Sequence, residues 1–122
     1  MERTTRQREA IRAVFGQTDR PLSPQEVQHR AERLSAPVSL ATVYRTLKGL
    51  AEEGAVVPVE LPGQPPRYEP AGLEHHHHFQ CRACGRVYDI HGCPGRLDRL
   101  APPGFRVESH EIVLIGLCDK CA

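Results

Sequence analysis

Apolar residues in the first part of the chain recur at helical spacing in three separate stretches. In the first stretch, TTRQREAIRAVFGQ, Ala10 and Ile11 are followed by Val14 and Phe15, while arginines and glutamates occupy many of the other positions. Apolar residues three or four positions apart lie on one face of a helix. The pattern therefore predicts an amphipathic helix that ends near Gly16.

The second stretch, LSPQEVQHRAERL, carries the signals of a helix start. Ser23 is a favourable N-cap, Pro24 suits the first helical position, and Glu26 stands three residues after Ser23 as a capping-box partner. We predict a second helix from Pro24. The residues predicted to form its buried stripe are Val27, Ala31 and Leu34.

The third stretch, VSLATVYRTLKGLAEEGAV, predicts a helix that begins at Ser39 and ends at Gly54. Its apolar positions are spaced three, four and three apart, and they are Leu40, Val43, Leu47 and Leu50. The opposite, exposed face combines hydroxyl, aromatic and basic side chains, which are Thr42, Tyr44, Arg45 and Lys48.

Two short segments with strand character follow the third helix. VVPVEL and PRYEP flank the turn sequence PGQP, as expected for a β-hairpin. Three helices followed by a hairpin are the pattern of a winged helix-turn-helix. We predict such a domain over residues 1–71.

The pattern changes from about Gly72 onward. HFQCRACGRVYDI and FRVESHEIVLIGLC predict strands, and PGRLDRL between them predicts a short helix. We expect a small α/β domain over residues 72–122. The predicted class of the whole chain is α+β.

Composition limits how much core these domains can build. The chain has 122 residues, no tryptophan and only 5% aromatic residues, so small domains need a metal, disulfides or a dimer interface. The sequence contains neither a run of 18 apolar residues nor a charged-then-apolar leader. We expect a soluble, cytoplasmic protein with no membrane partner.

Charge is distributed unevenly along the chain. Residues 1–50 hold nine Lys and Arg against five Asp and Glu, whereas residues 51–122 hold seven against ten. A basic first half is typical of a protein that binds an anionic partner such as nucleic acid. An acidic second half rich in histidine and cysteine indicates a partner that is a cation.

Four of the five cysteines form two Cys-x-x-Cys pairs. The pairs are Cys81 with Cys84 and Cys118 with Cys121, and Cys93 is left over. Two such pairs can complete a tetrahedral site of four thiolates, which suits a structural zinc. The alternatives are reduced free thiols or a redox pair, but no βαβ pattern surrounds either motif.

Six of the seven histidines lie in the second half, and four of them are consecutive. In a strand, His75 and His77 point to one side while His76 and His78 point to the other. The tract could therefore serve two metal sites. The run LEHHHH also resembles an expression tag, but 44 residues follow it, whereas tags stand at a terminus.

These motifs together resemble the ferric uptake regulator (Fur) family of bacterial metal-dependent repressors. The matching segments, in order, are RTTRQR, SLATVYRTLKGLAEEGAV, RYEP, HHHHFQCRACGRVYDI and HEIVLIGLCDKC. The resemblance implies an N-terminal winged helix that binds operator DNA and a C-terminal domain that forms a homodimer. It implies a repressor and not an enzyme.

The resemblance also assigns the candidate metal ligands. The structural zinc ligands are Cys81, Cys84, Cys118 and Cys121. The regulatory site at the hinge between the domains falls on Glu69, His76 and His78. A second site falls on His75, His77 and His110, and Cys93 stands where the family usually has a carboxylate.

The hinge site departs from the family pattern. Iron, manganese and peroxide sensors usually supply a histidine where this chain has Pro21, and zinc sensors usually supply an Asp and a Cys where it has Val57 and Ala71. The residues that could complete the site are Glu60, His29 and Asp89. We include Asp89 in the expected hinge set.

The same comparison suggests how the protein contacts DNA. The expected phosphate contacts are Arg3, Arg6, Arg8 and Lys48. Tyr44 and Arg45 are expected to reach bases in the major groove, with Thr42 on the same face.

The identity of the regulatory metal is a separate question. Pro21 offers no donor, and Cys93 adds a thiolate to three imidazoles, so Zn(II) is favoured over Fe(II) or Mn(II). Nickel and peroxide sensing are further alternatives. Two alternative functions do not involve transcription: a zinc buffer that does not touch DNA, and a zinc enzyme. No catalytic motif that would support the enzyme is visible in the sequence.

Overall fold

The apolar stripes near the amino terminus fold as the predicted helices. Helix α1 spans Glu2–Phe15, α2 spans Pro24–Leu34 and α3 spans Leu40–Glu52. The computed structural model describes residues 2–35 and 37–122, with side chains from residue 5 onward within those ranges. The chain forms two compact units, Met1–Leu73 and Glu74–Ala122. The three helices and two small sheets confirm the α+β class with an N-terminal winged helix.

The start of α2 contains the predicted capping box. The backbone N–H of Glu26 donates to Ser23 Oγ at 3.1 Å, and the backbone N–H of Ser23 donates to Glu26 Oε1 at 3.0 Å. Ser39 caps α3, accepting from the backbone N–H of Thr42 at 3.1 Å. These bonds satisfy N–H groups that have no partner inside a helix.

Helix α3 ends at the predicted glycine. The N–H of Ala55 donates to Leu50 O at 2.8 Å, and the N–H of Gly54 donates to Ala51 O at 3.1 Å. Gly54 has a φ of 78°, a conformation that is cheap only for glycine. The chain therefore leaves the helix in the direction of the hairpin.

The core of the first unit is assembled from all three helical stripes. Its most deeply buried side chains are Ile11, Val14, Leu22, Val27, Val43, Leu47 and Leu50. The prediction that Leu34 is buried is wrong, because α2 ends at this residue, at the edge of the core, and Leu34 is 46% exposed.

The predicted hairpin forms the wing of the first unit. Strand β1 spans Val56–Leu61 and pairs antiparallel with β2, Gln64–Pro70. A feature that the periodicity does not predict is a bridge from Leu22 to Tyr68, in which each N–H donates to the other carbonyl at 2.8 Å. This bridge ties the segment before α2 to the wing.

A partly buried carboxylate adds a second tie between the same elements. Glu26 accepts from Arg20 Nη1 at 2.6 Å and from Arg67 Nη1, on β2, at 2.9 Å. Burial opposes ionisation, but the Ser23 N–H and the two guanidinium groups outweigh it, and the pKa of Glu26 lies below its ordinary value. Glu26 therefore stays charged and links the start of α2 to the wing.

The second unit is built on a three-stranded sheet. Strand β3 spans His77–Cys81, β4 spans Val87–Ile90 and β5 spans Val113–Gly116, in the order β4-β3-β5. Strand β3 is antiparallel to β4 and parallel to β5. The residues of β3 that are paired on both sides are therefore His78, Phe79 and Gln80.

Two strand and helix predictions for this unit need correction. The stretch FRVESHEIVLIGLC is a strand only at Val113–Gly116, because β5 can pair only along the short β3. The segment PGRLDRL holds only a single 3-10 turn, Leu97–Leu100.

Several large apolar side chains of the second unit remain on its surface. Leu100 is 82% exposed, Phe105 72%, Leu114 51% and Ile115 59%. No helix among the described residues is long and apolar enough to cross a membrane.

We expect Glu26→Gln to lower the free energy of unfolding of the first unit by about 2 kcal/mol, because it weakens hydrogen bonds that involve charged partners. Urea unfolding followed by circular dichroism measures the change. Glu32→Gln, on the exposed side of the same helix, is the matched control and should have little effect.

The Glu26 contribution should also depend on pH in a defined direction. The folded state holds the carboxyl pKa below the ordinary 4.5, so the stabilisation is present above that pH and fades as pH falls below it. The wild type and Glu26→Gln should therefore converge in stability at acid pH. An equal difference between them at neutral and acid pH would contradict this assignment.

Candidate metal centres

Parallel pairing of two strands brings the cysteine pairs together. Cys81 is the last residue of β3, and its partner in register is Gly116, the last residue of β5. Both carboxyl ends thus meet at one edge, and Cys118 follows two residues later. After Cys84, Gly85 reverses the chain with a φ of 78°.

The four thiols lie at distances that suit one tetrahedral ion. The Sγ atoms of Cys84 and Cys118 are 3.9 Å apart, and all four Sγ atoms, including Cys81 and Cys121, lie within 4.8 Å of one another. Two thiolates on a zinc with bonds of about 2.3 Å would be separated by about 3.8 Å. The cysteines are free thiols, so this donor set fits a closed zinc site.

The backbone around Cys81 favours its thiolate. The N–H groups of Cys84 and Cys118 each point at Cys81 Sγ from 3.4 Å, and these bonds lower the pKa of Cys81 to about 6. Hydrogen bonding to the sulfurs of Cys118 and Cys81 raises the pKa of Cys121 to about 12. Cys81 therefore ionises more readily than an ordinary thiol, and a cysteine must be in its thiolate form to bind a metal.

A second cluster lies on one face of the histidine tract. His75 Nε2 is 3.2 Å from both His77 Nε2 and His110 Nε2, and Cys93 Sγ is 3.2 Å from His110 Nε2. Two imidazole nitrogens on a tetrahedral zinc would be separated by about 3.3 Å. Three nitrogens and one sulfur are thus gathered at ligand spacing.

The protonation of this cluster suits metal binding. Burial of the His77 ring and, after it, the neighbouring His75 and His110 rings lower the pKa of His77. Neutral imidazole is the form that binds a metal. The lowered pKa of His77 therefore favours the neutral ring that a metal ligand requires.

The opposite face of the tract carries a third group of donors. Asp89 Oδ1 lies 3.5 Å from His76 Nε2 and 3.4 Å from His78 Nε2. Strand pairing explains the contact, because His78 stands opposite Asp89 across β3 and β4. The alternation expected of a strand thus separates the four consecutive histidines into two sets.

The remaining predicted hinge ligands belong to the first unit. Glu69 is a buried residue of β2, Glu60 is an exposed residue of β1, and His29 is an exposed residue of α2 with its ring 3.1 Å from Arg33. Within the second unit, only Asp89 of the proposed completing residues joins His76 and His78.

The predicted DNA-contacting face is formed along α3. Tyr44, Arg45 and Lys48 are exposed beside Pro58 and Tyr68 of the wing, in an open groove. Arg45 Nη2 donates to Thr42 Oγ1 at 3.1 Å, so Thr42 holds the guanidinium on the outer face of the helix. The groove is therefore lined by two phenols, two cations and the carboxylate of Glu52.

The predicted arginines of α1 are placed differently from one another. Arg6 is exposed, whereas Arg8 pairs with Glu53 at the end of α3, together with Arg12 at 2.9 Å. The side chain of Arg3 lies outside the described residues. Arg8 is thus already engaged with a carboxylate, so a phosphate would have to displace Glu53.

Comparison with known proteins agrees with this arrangement. Residues 2–115 match the ferric uptake regulator family. Over 98% of its length the chain is 34% identical to the zinc uptake regulation protein of Mycobacterium tuberculosis, of which it covers 94%.

Two further relatives are named for other metals. The chain is 32% identical over 88 residues to the ferric uptake regulation protein of Helicobacter pylori; the match takes in 72% of this chain but only 59% of that protein. A solved structure of a zinc-bound manganese uptake regulator superposes with a TM-score of 0.79 at 28% identity, over 92% of this chain and 87% of the other. The similarities therefore point to three different regulatory metals.

We expect Cys81→Ser to remove one zinc per chain and to unfold the second unit, because structural zinc in small sites contributes roughly 10 kcal/mol or more of metal-linked folding energy. Metal analysis after gel filtration and thermal melting measure the two effects. Cys93→Ser, in the other cluster, is the matched control and should keep this zinc. A Cys81→Ser protein with full zinc content and wild-type melting would refute the assignment.

Proposed function

The chain belongs to the ferric uptake regulator family, and on that premise we propose that it is a homodimeric transcriptional repressor controlled by a divalent metal. The observation that carries the proposal is the coexistence of a winged helix with an exposed basic face and of three separate donor clusters. The four-cysteine cluster is closed, which suits a structural metal. The other two clusters supply donors for a regulatory metal.

Operator binding is proposed for the exposed face of α3. The buried side of this helix is apolar, with Val43, Leu47 and Leu50 in the core, so the opposite side is available to a partner. Arg45 and Lys48 supply positive charge there, and Tyr44 supplies an aromatic ring. Cations and an aromatic ring on an exposed helix suit phosphates and base edges in a major groove.

A homodimer is proposed for the second unit. Leu114 and Ile115 are exposed on β5, an edge strand of its sheet, and Leu100 and Phe105 add more apolar surface. Exposed apolar side chains on an edge strand are typical of a protein–protein interface. Two copies would also present two recognition helices to a symmetric operator.

The regulatory site is proposed for the face that carries His76, His78 and Asp89. Glu69, which the family resemblance assigns to the same site, would add a donor from the first unit. A divalent ion held there would supply the positive charge that makes one arrangement of the two units more favourable than the others. A differential affinity of a few kcal/mol is enough to shift such an equilibrium by a large factor.

Zinc is the proposed regulatory metal. On the proposed regulatory face, the imidazoles of His76 and His78 are donors that suit zinc. The separate second cluster holds three imidazoles and a thiolate, a donor set that suits tetrahedral zinc better than manganese. The relative from Mycobacterium tuberculosis is also named for zinc. The second candidate is iron or manganese, which the oxygen donors of Asp89 and Glu69 favour, as do the names of other relatives.

We expect Arg45→Ala to weaken operator binding by about 1–3 kcal/mol, the usual contribution of one good base contact. Metal content and dimerisation should not change, because Arg45 lies outside the clusters. A gel-shift titration measures the affinity. Arg33→Ala, an exposed change on α2, is the control; an Arg45→Ala protein that binds like this control would remove Arg45 from the interface.

We expect operator binding to rise when buffered Zn(II) is supplied, and to respond less to Mn(II) or Fe(II). The measurement is fluorescence anisotropy of operator DNA with each metal at fixed free concentration. Repression in the source cell under zinc chelation is the companion test. A response to iron or manganese starvation alone would replace zinc by the second candidate. An absence of operator binding at every metal concentration would favour a zinc buffer.

A further inference from the structure

We propose that His91 is a ligand of the regulatory metal, so that the second unit by itself supplies four donors: His76, His78, Asp89 and His91. This inference rests on the proposed regulatory site and extends it. His91 is not among the ligands predicted from the sequence, and nothing in the family resemblance assigns it a role. The ligand class is a divalent ion that accepts three nitrogens and one oxygen, such as zinc or ferrous iron.

The register of the sheet places His91 beside the other three residues. His77 pairs with Ile90 and His78 pairs with Asp89 across β3 and β4. Continuing the ladder by one step sets His76 opposite His91. Because alternate residues of a strand share a face, the four side chains form a two-by-two block on one side of the strand pair.

The ring positions agree with this register. The ring centroids of His76 and His78 are 4.8 Å apart, and those of His76 and His91 are 6.4 Å apart. Two imidazoles bound to one tetrahedral ion have centroids separated by about 5 Å, given metal–nitrogen bonds of about 2.0–2.1 Å. The first pair already has this spacing, and the second exceeds it by about 1 Å.

The burial of His91 explains how the remaining gap can close. His91 follows the last residue of β4 and is exposed, whereas His76, His78 and Asp89 are partly buried. An exposed ring at a strand end can rotate about its side-chain bonds with little change in packing. The three partly buried donors therefore form a preorganised base to which His91 can add.

This ligand set changes what the first unit has to do. With four donors in the second unit, metal capture does not need a donor from the winged helix, where Pro21 has none. Glu69 would then contribute to the coupling between metal binding and DNA binding, and not to the binding of the metal itself. Capture and response thus become separable by mutation.

The test is a competitive titration of Co(II) and Zn(II) on the full-length chain whose four-cysteine site is loaded with zinc. Cobalt held by imidazole and carboxylate donors absorbs in the visible range without the thiolate charge-transfer band that Cys93 would give to the second cluster. The two sites can therefore be followed separately. The variants are His91→Ala, His91→Asp, Glu69→Gln and, as control, Arg99→Ala, an exposed change in the second unit that lies outside all three donor clusters.

We expect His91→Ala to weaken the imidazole–carboxylate site by at least about ten-fold, comparable with the loss of other groups that support a metal site. His91→Asp, which keeps a donor, should recover most of the affinity. Glu69→Gln should leave metal capture close to that of the wild type but reduce the metal response of operator binding, and Arg99→Ala should match the wild type in both.

Three outcomes would overturn the inference. They are wild-type affinity in His91→Ala, no recovery in His91→Asp, and a loss in Glu69→Gln as large as that in His91→Ala. Failure of the proposed function is a different result: wild-type operator binding would then ignore metal, whatever the cobalt titration shows. If operator binding responds to metal while His91→Ala binds normally, the repressor assignment stands and His91 is not a ligand.

Discussion

The pairing of β3 with a strand on each side is the constraint on which the chemistry of the second unit depends. Parallel pairing with β5 puts two carboxyl ends at one edge, which gathers the four cysteines although 33 residues separate the two pairs. Antiparallel pairing with β4 sets Asp89 opposite His78. Because β3 is central, its two faces are fixed as well, and the consecutive histidines point to two different donor sets. Each of the three clusters therefore draws at least one ligand from β3 or from the residue that precedes it.

Local chemistry made much of the fold predictable. The capping box at Ser23, the N-cap at Ser39 and the glycine at the end of α3 are all read within a few residues of sequence, and each is present in the structure. The predictions that failed are those that depend on contacts between distant segments. The bridge from Leu22 to Tyr68 has no signal in periodicity, because it depends on where the wing lies. For the same reason, composition does not show that residues 105–112, although strand-like, stop short of the paired segment Val113–Gly116.

The same distinction between local and long-range information applies to the candidate sites. Spacing alone indicated the four cysteines, since a Cys-x-x-Cys turn makes its own geometry. The separation of the histidines followed from strand alternation, which is also local. The neighbourhood of His91 could be inferred only once the register of β3 against β4 was known, because a shift of one residue would have turned Asp89 and His91 away from His76 and His78. A sequence can therefore identify candidate metal donors more readily than it can show which of them bind the same ion.

The shared strand also bears on how such a protein can change over generations. An insertion or deletion of one residue at Phe79 or Gln80, with Cys81 held in its cluster, would turn His77 and His78 to the opposite faces of β3. The two imidazole clusters would then exchange ligands, and the paired ladders on either side would lose their register. A substitution can alter one cluster at a time, but an insertion or deletion within β3 cannot. The metal preferences of the two clusters can thus diverge by point changes, while the length of β3 is held fixed.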